Sequence, residues 1–260
     1  MSETVLLHIE NRVATLTLNR PGAMNALNLE MARALAHACQ KVEQDKNVRC
    51  IVLRGAGGNF LAGGDVQSMK EGLDKGDSSI VDGIITHVHR VIEALRHAPA
   101  PVIGVVEGAV AGGGVSLIAA CDLAIATDKA KFTLAYSRLG TNPDGGSTWF
   151  LPRIIGLRKT MELCLFSDRF DAKAALAMGL VNEVVPAAKL DAAVDRMVAR
   201  VMAGSGEAAA RTKQLLNESM QNSLTEQLAA EQNAFMAGVR SNDFAEGVNA
   251  FCDKRKPKFD

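Results

Sequence analysis

The chain has 260 residues, 48% of them hydrophobic, and its 29 Lys+Arg are balanced by 29 Asp+Glu. That length supports one sizeable core with a small appendage, and the neutral balance excludes a strong electrostatic pull toward nucleic acid or an anionic membrane surface. The five cysteines (Cys39, Cys50, Cys121, Cys164 and Cys252) are odd in number, scattered and without metal-ligand spacing, so they read as reduced core residues of an intracellular protein with no metal site.

In chain order, residues 5–9 and 13–18 alternate like two short strands, with Glu10, Asn11 and Arg12 in the turn between them. The alternation starts at once, so no targeting segment is expected. No apolar run reaches the roughly 20 residues that span a bilayer, and a cytoplasmic protein is predicted. Asn19-Arg20-Pro21-Gly22 breaks the pattern, and residues 29–42 carry apolar side chains at helical spacing. Residues 50–54 are a short apolar run ended by Gly55, hence a buried strand.

A glycine-rich loop fills 56–65, and the polar stretch 66–82 is expected to be a mobile loop or short helix near the mouth of a site. Residues 84–95 read as a helix closed by Pro99 and Pro101, 102–106 as a strand, 112–120 as a helix opening on glycines, and 123–127 as another strand. This order indicates an α/β fold with layered, partly parallel sheets. From Arg153 onward the pattern is almost wholly helical, apart from 180–185. Residues 1–200 are expected to form the core and 201–260 a C-terminal helical part.

Two glycine-rich segments directly follow predicted strands: Phe60-Leu61-Ala62-Gly63-Gly64-Asp65 and Ala111-Gly112-Gly113-Gly114-Val115-Ser116. Glycines at a helix start let free backbone N–H groups approach a ligand, with the positive end of the helix dipole behind them. Two such groups can converge on one oxygen and stabilise an oxyanion. Neither loop fits a dinucleotide or P-loop fingerprint, and each taken alone also fits tight packing of a helix on a strand.

Taken in order along nearly the full length, several pieces resemble the crotonase (enoyl-CoA hydratase/isomerase) superfamily. They are Leu16-Thr17-Leu18-Asn19-Arg20-Pro21 with Asn25-Ala26-Leu27, Phe60 to Asp65, Gly108 to Ser116, Cys121-Asp122, Leu139-Gly140, Gly156-Leu157 and residues 174–184. The resemblance implies a spiral of ββα turns with a C-terminal helical part that trimerises, hence a homotrimer or a homohexamer. It implies an acyl-CoA substrate, with coenzyme A as the carried group and no separate cofactor. The thioester oxygen would lie between the N–H groups of Gly64 and Gly113. Met24, Ala26, Leu61, Ala62 and Asp65 would line the coenzyme. The basic run Lys254, Arg255, Lys256 and Lys258 either meets its phosphates or is a solvated tail.

Hydratases of this family use two glutamates, and the matching positions here are Ser116 and Tyr136. Neither is a carboxylic acid, and a phenol is a poor base at neutral pH. A different acid, Asp144, sits in Gly140-Thr141-Asn142-Pro143-Asp144-Gly145-Gly146. By itself it could be a turn residue capping a helix from about Ser147. The stretch through Thr148-Trp149 and Leu151-Pro152-Arg153 closely resembles the phenylacetate-degradation-type enoyl-CoA isomerases, in which the matching aspartate shuttles a proton. Isomerisation of a 3-enoyl-CoA to the 2-enoyl-CoA by Asp144 is therefore expected.

Three alternatives stay open: an enoyl-CoA hydratase, an aryl-CoA dehalogenase using Asp144 as nucleophile with His89, and a non-catalytic acyl-CoA- or RNA-binding relative. The neutral charge and 4% aromatic content argue against nucleic acid.

Overall fold

In the computed structural model, which describes residues 3–259, the first half of the chain runs β1 (Val5–Glu10), β2 (Val13–Leu18), a 3-10 turn (Pro21–Ala23), α1 (Leu29–Gln44), β3 (Cys50–Gly55), α2 (Val66–Asp74), α3 (Ser79–His97), β4 (Val102–Val106), β5 (Ala109–Ala111), α4 (Gly113–Ala120) and β6 (Leu123–Thr127). It continues with β7 (Lys131–Thr133), a 3-10 turn (Tyr136–Leu139), α5 (Ser147–Ile155), α6 (Leu157–Phe166), β8 (Phe170–Asp171), α7 (Ala172–Ala177) and β9 (Glu183–Val185). A third 3-10 turn (Ala187–Lys189) leads to the helices α8 (Leu190–Met202), α9 (Gly206–Glu218), α10 (Leu224–Val239) and α11 (Asn242–Cys252). No helix of the described residues is long and apolar enough to cross a membrane.

The main sheet has the order β1-β2-β3-β4-β6-β9, and a smaller one the order β5-β7-β8. Only the β1–β2 hairpin is antiparallel in the main sheet; the other neighbours are parallel. Its central strands are apolar on both faces, as parallel strands covered on two sides must be. On β3, Ile51 and Leu53 face the main core while Cys50 and Val52 face a second, smaller one. On β4, Val102 and Val106 face the first and Ile103 and Val105 the second. Helices α1, α3 and α4 cover the main face, and α8 covers the other through Leu190, Ala193 and Val194.

The expected strands at 5–9, 13–18, 50–54, 102–106 and 123–127 are all present. The stretch 66–82 takes the short-helix alternative, as α2 and the first turn of α3, with Asp65 capping α2 by accepting from Ser68 N. The departures have local causes. The strand expected at 180–185 shortens to Glu183–Val185. The three strands of the small sheet have only two or three residues each, too few for any period to show.

Helix α9 is tied to the body by the buried Lys213 ammonium, which donates to Leu95 O (2.7 Å) and Ala100 O (3.2 Å) and pairs with Asp122 (2.8 Å). From there α9, α10 and α11 extend outward and leave Leu216, Leu224, Phe235, Met236 and Phe251 exposed.

Candidate active site

Three backbone segments lie side by side beyond the carboxyl ends of β3 and β4, where open α/β sheets place their ligands. Leu61 pairs with Val110 in parallel fashion, through Leu61 N to Ala109 O (3.1 Å) and Ala111 N to Leu61 O (2.9 Å). On the other side Ala62 N donates to Met24 O (3.1 Å), Leu27 N to Gly63 O (2.8 Å) and Asp65 N to Leu27 O (2.8 Å). This ladder uses the N–H groups of Leu61, Ala62 and Asp65 and skips that of Gly64.

Gly113 is the first residue of α4, so its N–H lies outside the helical ladder. Among the described residues neither Gly64 nor Gly113 donates its N–H to a protein acceptor. The loops touch: a Cβ on Gly112 would lie 3.8 Å from the Cα of Gly63. Gly112 itself turns the chain into α4 with φ 49 and ψ −118, a conformation open to glycine and strained for other residues.

A polar frame holds these loops. Asn25 is fully buried and donates to Ala56 O (2.9 Å) and Asn59 O (2.7 Å) while accepting from Arg20 N (2.9 Å). The Arg20 guanidinium donates to Ala26 O and pairs with Asp65 Oδ2 at 2.9 Å. Thus Met24, Ala26, Leu61, Ala62 and Asp65 do gather beside Gly64. Their offerings differ. Met24 is half exposed, Leu61 is fully buried and presents only backbone, and the Asp65 carboxylate is committed to its cap and to Arg20.

Asp144 is not a helix cap. The N-cap of α5 is Gly146, and no side chain bonds there. Instead Oδ1 of Asp144 accepts the hydroxyl proton of Tyr136. The backbone of Asp144 is anchored separately, its carbonyl accepting from Ser147 N (3.1 Å) and from Ser116 Oγ (2.9 Å). A hydroxyl has one proton, so Ser116 Oγ accepts from Ser147 Oγ, 2.6 Å away. Oδ2 of Asp144 has no hydrogen-bond partner among the described residues.

The chain passes close to α4 at this point: a Cβ on Gly145 (φ 56) would lie 3.0 Å from Ser116 Cβ and 3.4 Å from Val88 Cγ1. The Tyr136 ring is buried, and its Cζ would be 3.7 Å from a Cβ on Gly112. Burial, and then the charge of Asp144, push the phenol up, so it stays protonated. Ser116 and Tyr136, read from the sequence only as absent glutamates, are the two groups that hold Asp144 beside the glycine loops.

His89 does not join them. It is exposed on α3, one residue past Val88, which carries the face turned to this loop. The basic tail is partly spent: Arg255 pairs with Glu246 through two nitrogens, at 2.6 and 2.8 Å. All five cysteines are free. Burial pushes the Cys39 and Cys50 thiols up to about 12, which keeps them unreactive, while Cys252 is exposed rather than in the core. A cleft of about 850 Å³ between α3, α5 and α9 is lined by Arg96, Trp149 and Lys213 and includes none of Gly64, Gly113 or Asp144.

A family model described as enoyl-CoA hydratase/isomerase matches residues 8–260. The 1,2-epoxyphenylacetyl-CoA isomerase of Escherichia coli (strain K12) is 35% identical over 259 residues, covering 100% of this chain and 99% of that protein. The trans-2-decenoyl-[acyl-carrier-protein] isomerase of Streptococcus mutans is 32% identical over 255 residues, covering 98% and 97%. Among solved structures, an enoyl-CoA hydratase from Polaromonas sp. JS666 superposes with a TM-score of 0.92 at 34% identity, covering 98% of this chain and 99% of that one. An enoyl-CoA hydratase of Mycobacterium smegmatis also gives 0.92, at 31% identity and 99% of both chains.

Proposed function

Since the chain belongs to the enoyl-CoA hydratase/isomerase family and is an enzyme of that kind, we propose that it moves the double bond of a 3-enoyl-CoA to the 2-position, with Asp144 as the proton shuttle. The observation that carries this reading is the placement of one carboxylate, with one oxygen unbonded, where two hydroxyls replace the glutamates of a hydratase. Hydration needs a water held between an acid and a base. A double-bond shift needs one base that takes a proton and gives it back.

Asp144 removes a proton from carbon 2 of the thioester, and the dienolate oxygen rests on the N–H groups of Gly64 and Gly113, which form the oxyanion hole. Asp144 then returns the proton at carbon 4. Coenzyme A enters as part of the substrate, along Met24, Ala26, Leu61 and Ala62, while Asp65 holds the loop through Arg20. The exposed apolar side chains of α9 to α11 are the surface on which three copies assemble, alone or as a stacked pair of trimers. Size-exclusion chromatography with light scattering tests the assembly, and a monomer at micromolar concentration would overturn it.

The chemistry is tested by incubating the protein with a 3-enoyl-CoA and following the 2-enoyl thioester absorbance. Rapid conversion that is lost in Asp144→Asn is expected. Full isomerase rate in that variant, or fast formation of 3-hydroxyacyl-CoA from a 2-enoyl-CoA, would overturn the reading.

A further inference from the structure

We infer that Tyr136 is the positioning residue of this site: its hydroxyl holds Oδ1 of Asp144 and leaves Oδ2 as the single oxygen that takes the proton from carbon 2 and returns it at carbon 4. This rests on the reading of Asp144 as the base.

The χ2 torsion of an aspartate is soft and roughly two-fold, so nothing intrinsic decides which oxygen faces a ligand. Here the main chain of Asp144 is clamped by Ser116 and Ser147, and its head by Tyr136 alone. The clamp is stiff because the Tyr136 ring is only 9% exposed and lies against Gly112. A hydrogen bond to an ionised carboxylate is among the strong ones, and burial keeps the phenol a donor at every pH at which an enoyl-CoA is handled.

One oxygen then performs both transfers on one face of the substrate. The C2–H bond breaks, its proton goes to Oδ2 and its electron pair enters the dienolate. The Oδ2–H bond next breaks as C4–H forms, the pair of the C3=C4 bond closes on C4, and the C2=C3 bond and thioester carbonyl are established. Nothing is oxidised or reduced, and Asp144 ends as it began.

Little else near the pair titrates. Helix α4 carries no ionisable side chain, and α5 carries only Arg153, which stacks 4.1 Å from the Trp149 ring. On α3 the residues flanking Val88 are His87, whose Nδ1 lies 2.7 Å from Gly83 O, and the exposed His89. On α6, which packs on the turn, Lys159 pairs with Glu162 (2.8 Å), Arg158 is exposed and Cys164 is half buried. Arg138 of the turn is exposed, and Asp65 in the neighbouring loop is paired with Arg20. Asp144 is the one titratable group acting on Tyr136.

Tyr136 is the only tyrosine in the chain, so global incorporation of 3-fluorotyrosine alters this hydroxyl and no other. The experiment compares the pH profile of kcat/KM on a 3-enoyl-CoA for the native enzyme, Tyr136→Phe, the fluorotyrosine enzyme and Asp144→Asn. Loss of the hydroxyl is expected to slow Tyr136→Phe about tenfold to a hundredfold and to move the acidic limb up, since the ionised carboxylate loses its donor. The fluorinated phenol keeps its shape and donates more strongly, so its acidic limb should move the opposite way.

Coinciding acidic limbs with an inactive Asp144→Asn would overturn the role of Tyr136 and leave the base in place. An active Asp144→Asn would overturn both. Should Tyr136→Phe fail to fold, the fluorotyrosine enzyme decides by itself.

Discussion

Two aspartates, 22 positions apart, accept hydrogen bonds inside this protein, and the difference between them separates structure from chemistry. Asp122 is saturated: Oδ1 accepts from Arg96 (3.3 Å), and Oδ2 accepts from Val102 N (2.8 Å) and Lys213 (2.8 Å). Two of its three partners are cations, one of them buried, and all three protons of Lys213 are used. Asp144 has one side-chain partner, a neutral hydroxyl on Oδ1, and nothing on Oδ2. A saturated carboxylate between fixed cations has no oxygen left to offer a substrate. One with an oxygen to spare, beside two free backbone N–H groups, can exchange a proton at little structural cost.

The comparison breaks most sharply at Asp144. Asp144→Asn keeps an oxygen to accept from Tyr136, so its melting temperature should stay near that of the native protein while isomerase kcat falls by about 10²–10⁴. Calorimetry beside the enoyl-CoA assay checks both halves, and a large loss of stability would make Asp144 a second Asp122. Gly113→Pro comes next. Proline is accepted at the first position of a helix, and a Cβ there meets only Leu27 Cδ1 at 3.9 Å. It deletes one N–H and no internal hydrogen bond, so kcat should fall by about 10²–10³ with stability nearly kept. An unchanged kcat would mean that Gly113 does not hold the dienolate oxygen.

Lys213→Met tests the other side. Burial lowers Lys213 below the usual lysine range, and Asp122 works against that shift. Removing the lysine leaves a carboxylate short of a partner and unties α9 from the Leu95 and Ala100 carbonyls, which should cost about 3–5 kcal/mol.

 Urea titration reads the loss. Asp122→Asn with Lys213→Met should recover part of it, because no charge is then left unpaired, and kcat per folded molecule should not move. A fall in kcat with stability intact would erase the division between the two aspartates.

The sequence made one side of this comparison easier to read than the other. Strands such as 50–54 and 102–106 are visible because burial on both faces demands an unbroken apolar run. The glycine loops are visible because a backbone donor that must reach a ligand leaves glycine behind it. Asp144 stood out as a carboxylate in a Pro-Asp-Gly-Gly turn, but its partner did not, since no periodicity links Tyr136 to a residue eight positions later across a 3-10 turn and a loop. The signal was there in another form, as two hydroxyls at the positions of two expected acids. The Lys213 tie was invisible for the same reason on a larger scale: its partners lie more than ninety positions away along the chain.

A third carboxylate sharpens what saturation alone is worth. Glu246 is as fully engaged as Asp122, with Arg255 on both oxygens and Lys258 N donating at 2.7 Å, yet it lies at the surface. The Arg255 hydrogen bonds come first, and the Lys258 amide second, in holding its carboxyl down to about 2. The folded value lies below the ordinary 4.5, so the tie is complete above pH 4.5 and is lost as the pH falls toward 2. Glu246→Gln should therefore abolish a pH-dependent loosening of residues 254–258 across that window, read by amide exchange, and should leave the global melting temperature almost unchanged. Added salt should mimic the substitution, because an exposed pair is screened and a buried one is not. A drop in melting temperature as large as that of Lys213→Met would mean that the number of partners, and not their burial, sets what a carboxylate contributes to this fold.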